Sequence, residues 1–324
     1  MSLLMFDGFE WSTPIDWTGS LNYSAVSPRS GAGSIWDPDN GVKTYPIAAS
    51  TTTFIIGAAL KNPVNQEIYR IYEGGVLHIV FKVDATGHVI IQRYTTVGSL
   101  ATSEGTWDWD NWHYVEVKVT VHDTAGAFEV RVDGVTAISG TDVDTRYGGT
   151  TGICNILQLR GSACYYDDLY VCDSSGATCN DFLGPVRVLQ LLPNAAGDDT
   201  DFTPSTGSNY QNVDESPTPD GDTTYNASAT SGHRDLYNLS ALTAQMAAGT
   251  VYGVRVKASM RKDDTPTVEA KIALKSGSTI AYGAAKALAE AYDEYEAFWE
   301  LNPDDAAAFS FADMDALQAG VEVV

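Results

Sequence analysis

Basic residues are scarce in this sequence. Its 324 residues include 19 Lys and Arg against 42 Asp and Glu, which gives a formal net charge of −23 at pH 7. Proteins that bind nucleic acid use Lys and Arg to neutralise phosphates, and no cluster of basic residues interrupts the acidity here. The same charge repels an anionic membrane surface. We therefore predict neither a nucleic-acid partner nor a membrane partner.

Long apolar runs are also missing. No run approaches the roughly 18 apolar residues that identify a membrane helix. The opening MSLLMFDGFEW has no positive flank, and Asp7 interrupts its apolar run, unlike the pattern of a secretory signal. The expectation is a protein made in a cytoplasm that stays there or leaves by cell lysis.

Helical periodicity is nearly absent, and short runs rich in β-branched and aromatic residues take its place. In YVEVKVTV, Val115, Val117 and Val119 face one way while the intervening residues face the other, which predicts a strand with one wet face. Turns such as DATG and DTAG separate such runs. Many short strands predict an all-β fold, a jelly-roll β-sandwich. The runs span residues 52–60, 76–83, 88–94, 112–121 and 127–133.

The pattern changes after DFLGPV at 181–186. Residues 193–224 are polar and rich in Gly, Pro, Ser, Thr and Asp, which predicts a long loop. Strand patterns then resume and continue to the end of the sequence, with short helices at 240–247 and 311–318, the second capped by Ser310 or Asp313. We predict a jelly-roll domain at 1–183 and a smaller C-terminal β domain at 184–324.

Catalytic pairs of carboxylates are not evident. A glycosidase on a sandwich needs two carboxylates facing one cleft, which on a strand requires alternating positions. Glu129 and Asp133 come nearest, but Asp133 begins an Asp-Gly turn and Arg131 lies between them. No nucleophile elbow, P-loop or GxGxxG occurs, and the five histidines lack metal-ligand spacing. We predict no catalytic residue and no enzymatic activity.

The segment TWDWDNWHY (106–114) has two interpretations. Trp107 and Trp109 with Asp108 and Asp110 could form a platform that contacts a glycan or a protein partner, the rings stacking on sugar and the carboxylates accepting hydroxyl protons. The segment could equally be a loop leading into a core strand. The sequence favours the loop and leaves the two tryptophans as contact candidates.

Metal ligands are equally sparse. Loop carboxylates of a sandwich domain can hold calcium, and the candidates are Asp198, Asp199 and Asp201, or Asp220 with Asp222. Runs of this composition are more often solvated loops. We predict no metal site and no cofactor. If the chain did bind a metal ion, Ca²⁺ would fit these loop carboxylates best.

Several stretches together resemble a family of tailed-bacteriophage virion structural proteins with a concanavalin A/LamG-like jelly-roll domain. The resemblance covers essentially the whole chain, and the order of the pieces makes it specific. The pieces are FDGFEW, Asp16-Trp17, SPRSGAGSI, WHYVEVKVTV with GAFEVRVDG, YYDDLYVCDSSG with NDFLGPVRV, LPNAAG, NYQNVDE, DGDTTYNAS, RKDD and DALQAGVEVV.

The resemblance implies a non-enzymatic virion component of the tail, neck or collar, fibre or head decoration. Its partners would be other virion proteins and copies of itself, in a homo-oligomer such as a trimer. It would be assembled in the host cytoplasm and released within the virion by lysis. The alternative is a receptor-binding, lectin-like protein that recognises host surface glycans.

The cysteines depart from the family pattern, which has none at Cys172 and Cys179. A virion protein leaves the reducing cytoplasm at lysis, so disulfides can form. Cys154 and Cys164 lie in successive strand-like runs, while Cys172 and Cys179 flank a short loop and form the favoured pair. All four are disulfide candidates, within the chain or between chains. The adjacent Asp167 and Asp168 are expected to bond to backbone or to a neighbouring strand.

Overall fold

The chain divides into two compact units, Met1–Leu189 and Gln190–Val324. The computed structural model describes residues 2–11, 17–19, 22–37, 41–94, 98–242, 248–263 and 267–324. Strands account for nearly all of the regular structure, and the predicted all-β jelly roll followed by a smaller β domain is confirmed. The first unit ends beyond residue 183, because the segment after that residue packs on its own sandwich. No helix in these ranges is long and apolar enough to cross a membrane.

One sheet of the first unit has eight antiparallel strands. Their order is β12-β11-β10-β5-β14-β3-β2, and β1 pairs with β14 beside β3. The strands are β1 Leu3–Asp7, β2 Tyr23–Ser24, β3 Ser34–Asp37, β5 Thr53–Lys61, β10 His113–Thr120, β11 Gly126–Val132, β12 Val135–Val143 and β14 Cys164–Asp173.

The other sheet has six strands in the order β4-β13-β6-β7-β8-β9. Neighbouring strands are antiparallel throughout. The strands are β4 Lys43–Pro46, β6 Gln66–Glu73, β7 Val76–Val83, β8 Val89–Arg93, β9 Ser99–Thr102 and β13 Ile156–Leu159.

The core lies between the two sheets, because alternate residues of each strand point inward. Val115, Val117 and Val119 of β10 are fully buried, as the alternation in YVEVKVTV predicted. Ile79 and Phe81 of β7 belong to the same apolar cluster. Each such buried side chain contributes roughly 1.5–3 kcal/mol to stability.

The outer face of the eight-stranded sheet is covered by the exit segment, residues 181–188. Gly184 N–H donates to Glu116 Oε1 at 2.8 Å, and Arg131 lies over the ring of Phe182 at 4.0 Å. Glu116, predicted on a wet face, is therefore fully buried. Segment 181–188 is the physical reason that this half of the strand stays dry.

The second unit contains a six-stranded sheet and two small two-stranded sheets. The larger sheet has the order β15-β18-β24-β20-β21, with β22 also on β20, and the small sheets pair β16 with β17 and β19 with β23. The elements are β15 Pro193–Thr200, β16 Thr203–Pro204, a 3₁₀ turn at Asn209–Asn212, β17 Asn226–Ala227, β18 Arg234–Leu239, β19 Val254–Met260, β20 Glu269–Ser276, β21 Thr279–Tyr282, β22 Lys286–Ala287, β23 Asp293–Trp299, α1 Phe311–Ala316 and β24 Gln318–Val323.

The predicted long loop at 193–224 is wrong in its first part, where residues 193–200 form β15. This strand is paired on one side only, and its side chains are at most half-buried, so it lacks the apolar pattern of a core strand. The remainder is held by Asp235, whose buried carboxylate accepts from Phe202 N–H at 2.8 Å and Asn209 Nδ2 at 2.6 Å.

The two helices predicted in the second unit have different outcomes. The helix predicted at 311–318 is confirmed as α1, with Ser310 and Asp313 forming a reciprocal cap. Ser310 N–H donates to Asp313 Oδ2 at 2.7 Å, which satisfies a donor at the helix start. Most of the helix predicted at 240–247 lies outside the described residues.

Candidate functional site

The outer face of the six-stranded sheet carries a row of polar side chains, which we call the polar row. Its members are direct cross-strand neighbours, one from each strand. The residues beside them along the strands, such as Leu157, Ile71 and Ile91, point into the core. Thr44, Gln158, Arg70 and Ser99 are partly or fully exposed, whereas Val80 and Gln92 are buried. The polar row consists of Thr44, Gln158, Arg70, Val80, Gln92 and Ser99.

Arg70 lies in the middle of the polar row and is held by its neighbours on β6. Its Nε donates to Glu67 Oε2 at 2.7 Å, its Nη2 is 2.5 Å from the same oxygen, and its Nη1 is 3.4 Å from the Tyr72 hydroxyl. Burial acts to lower the pKa of Arg70, but Tyr72 and Glu67 outweigh it and raise that pKa. The guanidinium is thus a fixed cation on this face.

A loop at residues 144–152 rises beside the row and is anchored on Glu73. The Glu73 carboxylate accepts from Thr151 N–H at 2.9 Å and Gly152 N–H at 3.0 Å. Burial alone would raise the pKa of Glu73, but these donors hold it well below its usual range. The carboxylate therefore stays ionised and keeps the loop in place.

The loop covers His78, the outward-facing residue two positions before Val80. Tyr147 N–H lies 3.2 Å from His78 Nδ1, and Glu73 Oε2 is 3.2 Å from His78 Nε2. Burial lowers the pKa of His78. The Tyr147 ring stacks on Tyr94 at 3.9 Å and remains 38% exposed, so one aromatic surface is left open beside the row.

A separate groove of about 470 Å³ lies at the side of the sandwich. Its walls come from β9 and β12, the edge strands of the two sheets, and Trp107 contributes to its lining. The Trp107 ring is half-buried and packs against the core. Of the predicted contact residues, Trp107 alone lines this groove.

Trp109 is buried and does not belong to the contact platform that the sequence suggested. Its side chain is 3% exposed, and its indole N–H donates to Gly87 O at 2.9 Å. Its ring is therefore unavailable to a ligand. Asp108 and Asp110 are both exposed, and Asp108 Oδ2 accepts from Asn111 Nδ2 at 2.7 Å.

Asp167 and Asp168 join loop 27–33 to the sandwich. Asp167 Oδ2 accepts from Arg29 N–H at 2.7 Å and from Ser30 N–H at 3.2 Å. Asp168 pairs with the Arg29 guanidinium at 2.5 Å and accepts from Val188 N–H at 2.8 Å. Both carboxylates are fully buried. The pair is a structural junction, as the sequence suggested.

Glu10 belongs to the same junction. Its Oε2 accepts from Ala32 N–H at 2.6 Å and Gly33 N–H at 3.0 Å, while its Oε1 is buried without a hydrogen-bond partner among the described residues. Stretches that carry the family resemblance, FDGFEW, SPRSGAGSI, YYDDLYV and NDFLGPVRV, therefore meet in one buried network. Their buried contacts account for the scaffold of this junction.

None of the four cysteines is joined by a disulfide. The successive runs that carry Cys154 and Cys164 are not paired strands, because Cys154 precedes β13 in the six-stranded sheet while Cys164 begins β14 in the other sheet. Cys172 is fully buried on β14, whereas Cys179 is half-buried in the following loop, and the favoured pair is not formed. The four residues carry thiols.

Three of the five aspartates considered for calcium are engaged with cations of the second unit. Asp199 Oδ2 lies 2.8 Å from Arg234 Nε, and Asp222 Oδ1 lies 2.9 Å from Arg261 Nη2. Asp198 pairs with Lys275. Within the ranges that the structure describes, no group of three or more His, Cys, Asp and Glu side chains could hold a metal ion.

Glu129 and Asp133 do not form a catalytic pair. Glu129 Oε1 accepts from Arg131 Nε at 2.8 Å and Thr136 Oγ1 at 2.7 Å. Asp133 occupies the turn after β11, where its Oδ2 is 2.6 Å from His113 Nδ1. Each carboxylate is committed to its own local contacts.

Sequence reasoning missed β6, the strand that carries Arg70. Its sequence QEIYRIYE mixes charged and apolar residues, and two irregularities in its register with β7 disturb the period of two. The alternation of Ile71 with Arg70 and Tyr72 was the available signal, and it was too short to separate from a loop.

The comparisons with known proteins concern the fold. No protein-family model matches the chain, and no curated protein does. Among solved structures, an endo-β-1,4-glucuronan lyase from Trichoderma reesei is 11% identical, with a TM-score of 0.38 over 53% of this chain and 95% of that one. An endo-1,3-β-glucanase from Streptomyces sioyaensis is 12% identical, with a TM-score of 0.35 over 53% and 96%.

A carbohydrate-binding module from Bacillus subtilis is 10% identical, with a TM-score of 0.33 over 49% of this chain and 96% of that one. At these values the likeness extends to the β-sandwich and no further. These three structures are carbohydrate-active or carbohydrate-binding proteins and none is a virion protein, which contradicts the expectation of a virion assembly protein without enzymatic activity. The phage resemblance, the virion location, the oligomeric state and the absence of a cofactor stay predictions.

Proposed function

We propose that the first unit binds carbohydrate on the outer face of its six-stranded sheet. The observation that carries this proposal is the polar row, which crosses all six strands on the face opposite the core. With strands about 4.8 Å apart, the row spans roughly 24 Å. Its exposed members lie on both sides of the buried Val80 and Gln92, an arrangement that suits an extended chain of sugar units better than a small compact ligand.

The chemistry of the row fits sugar hydroxyls. Gln158 presents a donor and an acceptor, Thr44 and Ser99 present hydroxyls, and Arg70 presents donors only. Tyr72 and the stacked Tyr94–Tyr147 pair supply aromatic surface nearby, against which the apolar face of a sugar ring can pack. On the other sheet, residues 181–188 cover part of the outer face.

The test measures binding of the full chain to a glycan array, followed by affinity electrophoresis with the polysaccharides that bind. Arg70→Ala and Gln158→Ala should each weaken binding by about tenfold or more, equivalent to about 1.4 kcal/mol. Trp107→Ala, which alters the side groove, should leave binding unchanged. Product release from the same polysaccharides shows whether turnover accompanies binding.

Two results would contradict the proposal. One is the absence of saturable binding to any glycan on the array. The other is loss of binding in Trp107→Ala together with normal binding in Arg70→Ala, which would place the site in the side groove.

A further inference from the structure

Three basic side chains lie near the Glu67 carboxylate on the outer face of the six-stranded sheet. Arg70 Nε donates to Glu67 Oε2 at 2.7 Å, and Arg160 Nε lies 3.7 Å from the same oxygen. Lys82 is the direct cross-strand neighbour of Glu67. Two basic side chains thus contact the Glu67 carboxylate and a third lies opposite it on β7, in a chain whose net charge is −23.

Arg160 is the member of this group with unused binding capacity. Its Nε is buried and has no hydrogen-bond partner among the described residues, although its side chain remains 17% exposed. Its contact with Glu67 is too long for a hydrogen bond, and that carboxylate already serves Arg70. The Nε atom itself is buried, so an incoming anion would meet the exposed part of the Arg160 side chain.

A guanidinium binds planar oxyanions through paired N–H donors, and carboxylates fit this fork well. From this arrangement we infer that the glycan is anionic and that Arg160, with Arg70 and Lys82, binds its acidic groups. This inference rests on the proposed function and adds the charge class of the ligand. Uronic acid carboxylates and sulfate esters share the required chemistry, so the test separates them.

The experiment titrates the full chain with four probes at low salt. They are a polyglucuronate, the same polymer after reduction of its carboxyl groups, a sulfated glycan and single-stranded DNA. We expect one of the two acidic glycans to bind at least about tenfold more tightly than the neutral polymer and the DNA, and added salt to weaken that binding because exposed charges are screened.

Arg160→Gln tests the assignment to this residue. It should weaken binding of the acidic glycan about tenfold and leave neutral glycan binding unchanged, whereas Arg160→Lys should retain part of the affinity. Arg187→Gln is the matched control, because it removes one charge from an exposed site on segment 181–188. Circular dichroism and melting confirm that each variant folds.

The two proposals fail in different ways. Equal affinity for acidic and neutral polymers, with no effect of Arg160→Gln, overturns the charge inference and leaves glycan binding standing. Equal or tighter binding of DNA overturns it in favour of a general anion surface. Binding to none of the glycans overturns both proposals.

Discussion

At the scale of single residues, Glu10 is the most unusual ionisable group of the first unit. Its side chain is buried, and only one of its two carboxylate oxygens accepts hydrogen bonds. Burial is the main cause that raises the pKa of Glu10 to about 7, against the opposing effect of Ala32 N–H and Gly33 N–H. The folded chain therefore holds a proton that the unfolded chain releases near pH 4.5.

A pH-dependent loss of stability follows for the wild type. Because the folded pKa lies above the unfolded pKa, stability falls as pH rises from about 4.5 to about 7 and is level above that window. Glu10→Gln cannot ionise, so its stability relative to wild type should increase by roughly 2 kcal/mol between about pH 5 and about pH 8. Urea unfolding at both pH values measures this. A constant difference between the two proteins would contradict the assignment.

The sequence predicted which side chains point into the core and which point outward wherever this depends on neighbours in the same strand. Alternation along β10 predicted that its valines are buried. The position of Asp167 in a strand predicted that it bonds to backbone. Trp109 could not be placed in this way. Its indole partner, Gly87 O, belongs to a hairpin 22 positions earlier, and no local pattern joins the two.

At the scale of elements, well-buried central strands such as β5, β7 and β10 were predictable and strands at sheet edges were not. β5, β7 and β10 are rich in β-branched residues and bounded by turns, so each has a clear pattern. β12 and β15 are edge strands whose side chains are largely wet, and they lack that pattern. β15 pairs with β18, which is distant in sequence, and the pairing of β12 with β11 is interrupted by irregularities in the register. Neither feature leaves a pattern in the sequence of the strand itself.

Gly57 shows how closely two neighbouring strands fit. A Cβ at this position of β5 would lie 2.2 Å from Cε1 of Tyr170 on β14. The ring cannot move away freely, because its hydroxyl donates to Glu116 Oε1 at 2.5 Å and accepts from Leu183 N–H at 3.1 Å.

Gly57→Ala should therefore destabilise the protein by about 1–3 kcal/mol through overpacking. The control is Gly75→Ala in the turn between β6 and β7, where an added Cβ meets no atom within 4 Å. That variant should stay within about 0.5 kcal/mol of wild type. Denaturant midpoints compare them, and equal losses in the two variants would sink the explanation.

At the scale of the whole molecule, composition predicted the all-β class and pattern changes predicted two β domains. The candidate site was beyond reach, since the polar row draws one residue from each of six strands spread from Thr44 to Gln158. Only the paired register of the sheet brings these residues into line. The cysteines could not be assigned from the sequence for the same reason. Their closeness along the chain suggested disulfides, but the strand pairing does not bring them together in that way.

The thiol state of the whole chain can be measured directly. We expect all four cysteines to react with a thiol reagent after unfolding without reductant, because none is in a disulfide. In the folded protein Cys154 should be inert, since burial raises its pKa to about 12. Dithiothreitol should leave the melting midpoint unchanged. Fewer than four reactive thiols, or a midpoint lowered by reductant, would restore a disulfide.

The pairing of β1 with β14 constrains how the first unit is made. Leu3 lies opposite Cys172, and the junction with Val188 closes only when the exit segment is present. Contacts so distant in sequence form late and slow folding. During synthesis the sandwich stays incomplete until nearly all of its 189 residues have left the ribosome. Its nascent chain should therefore depend on chaperones for longer than a helical protein of equal length.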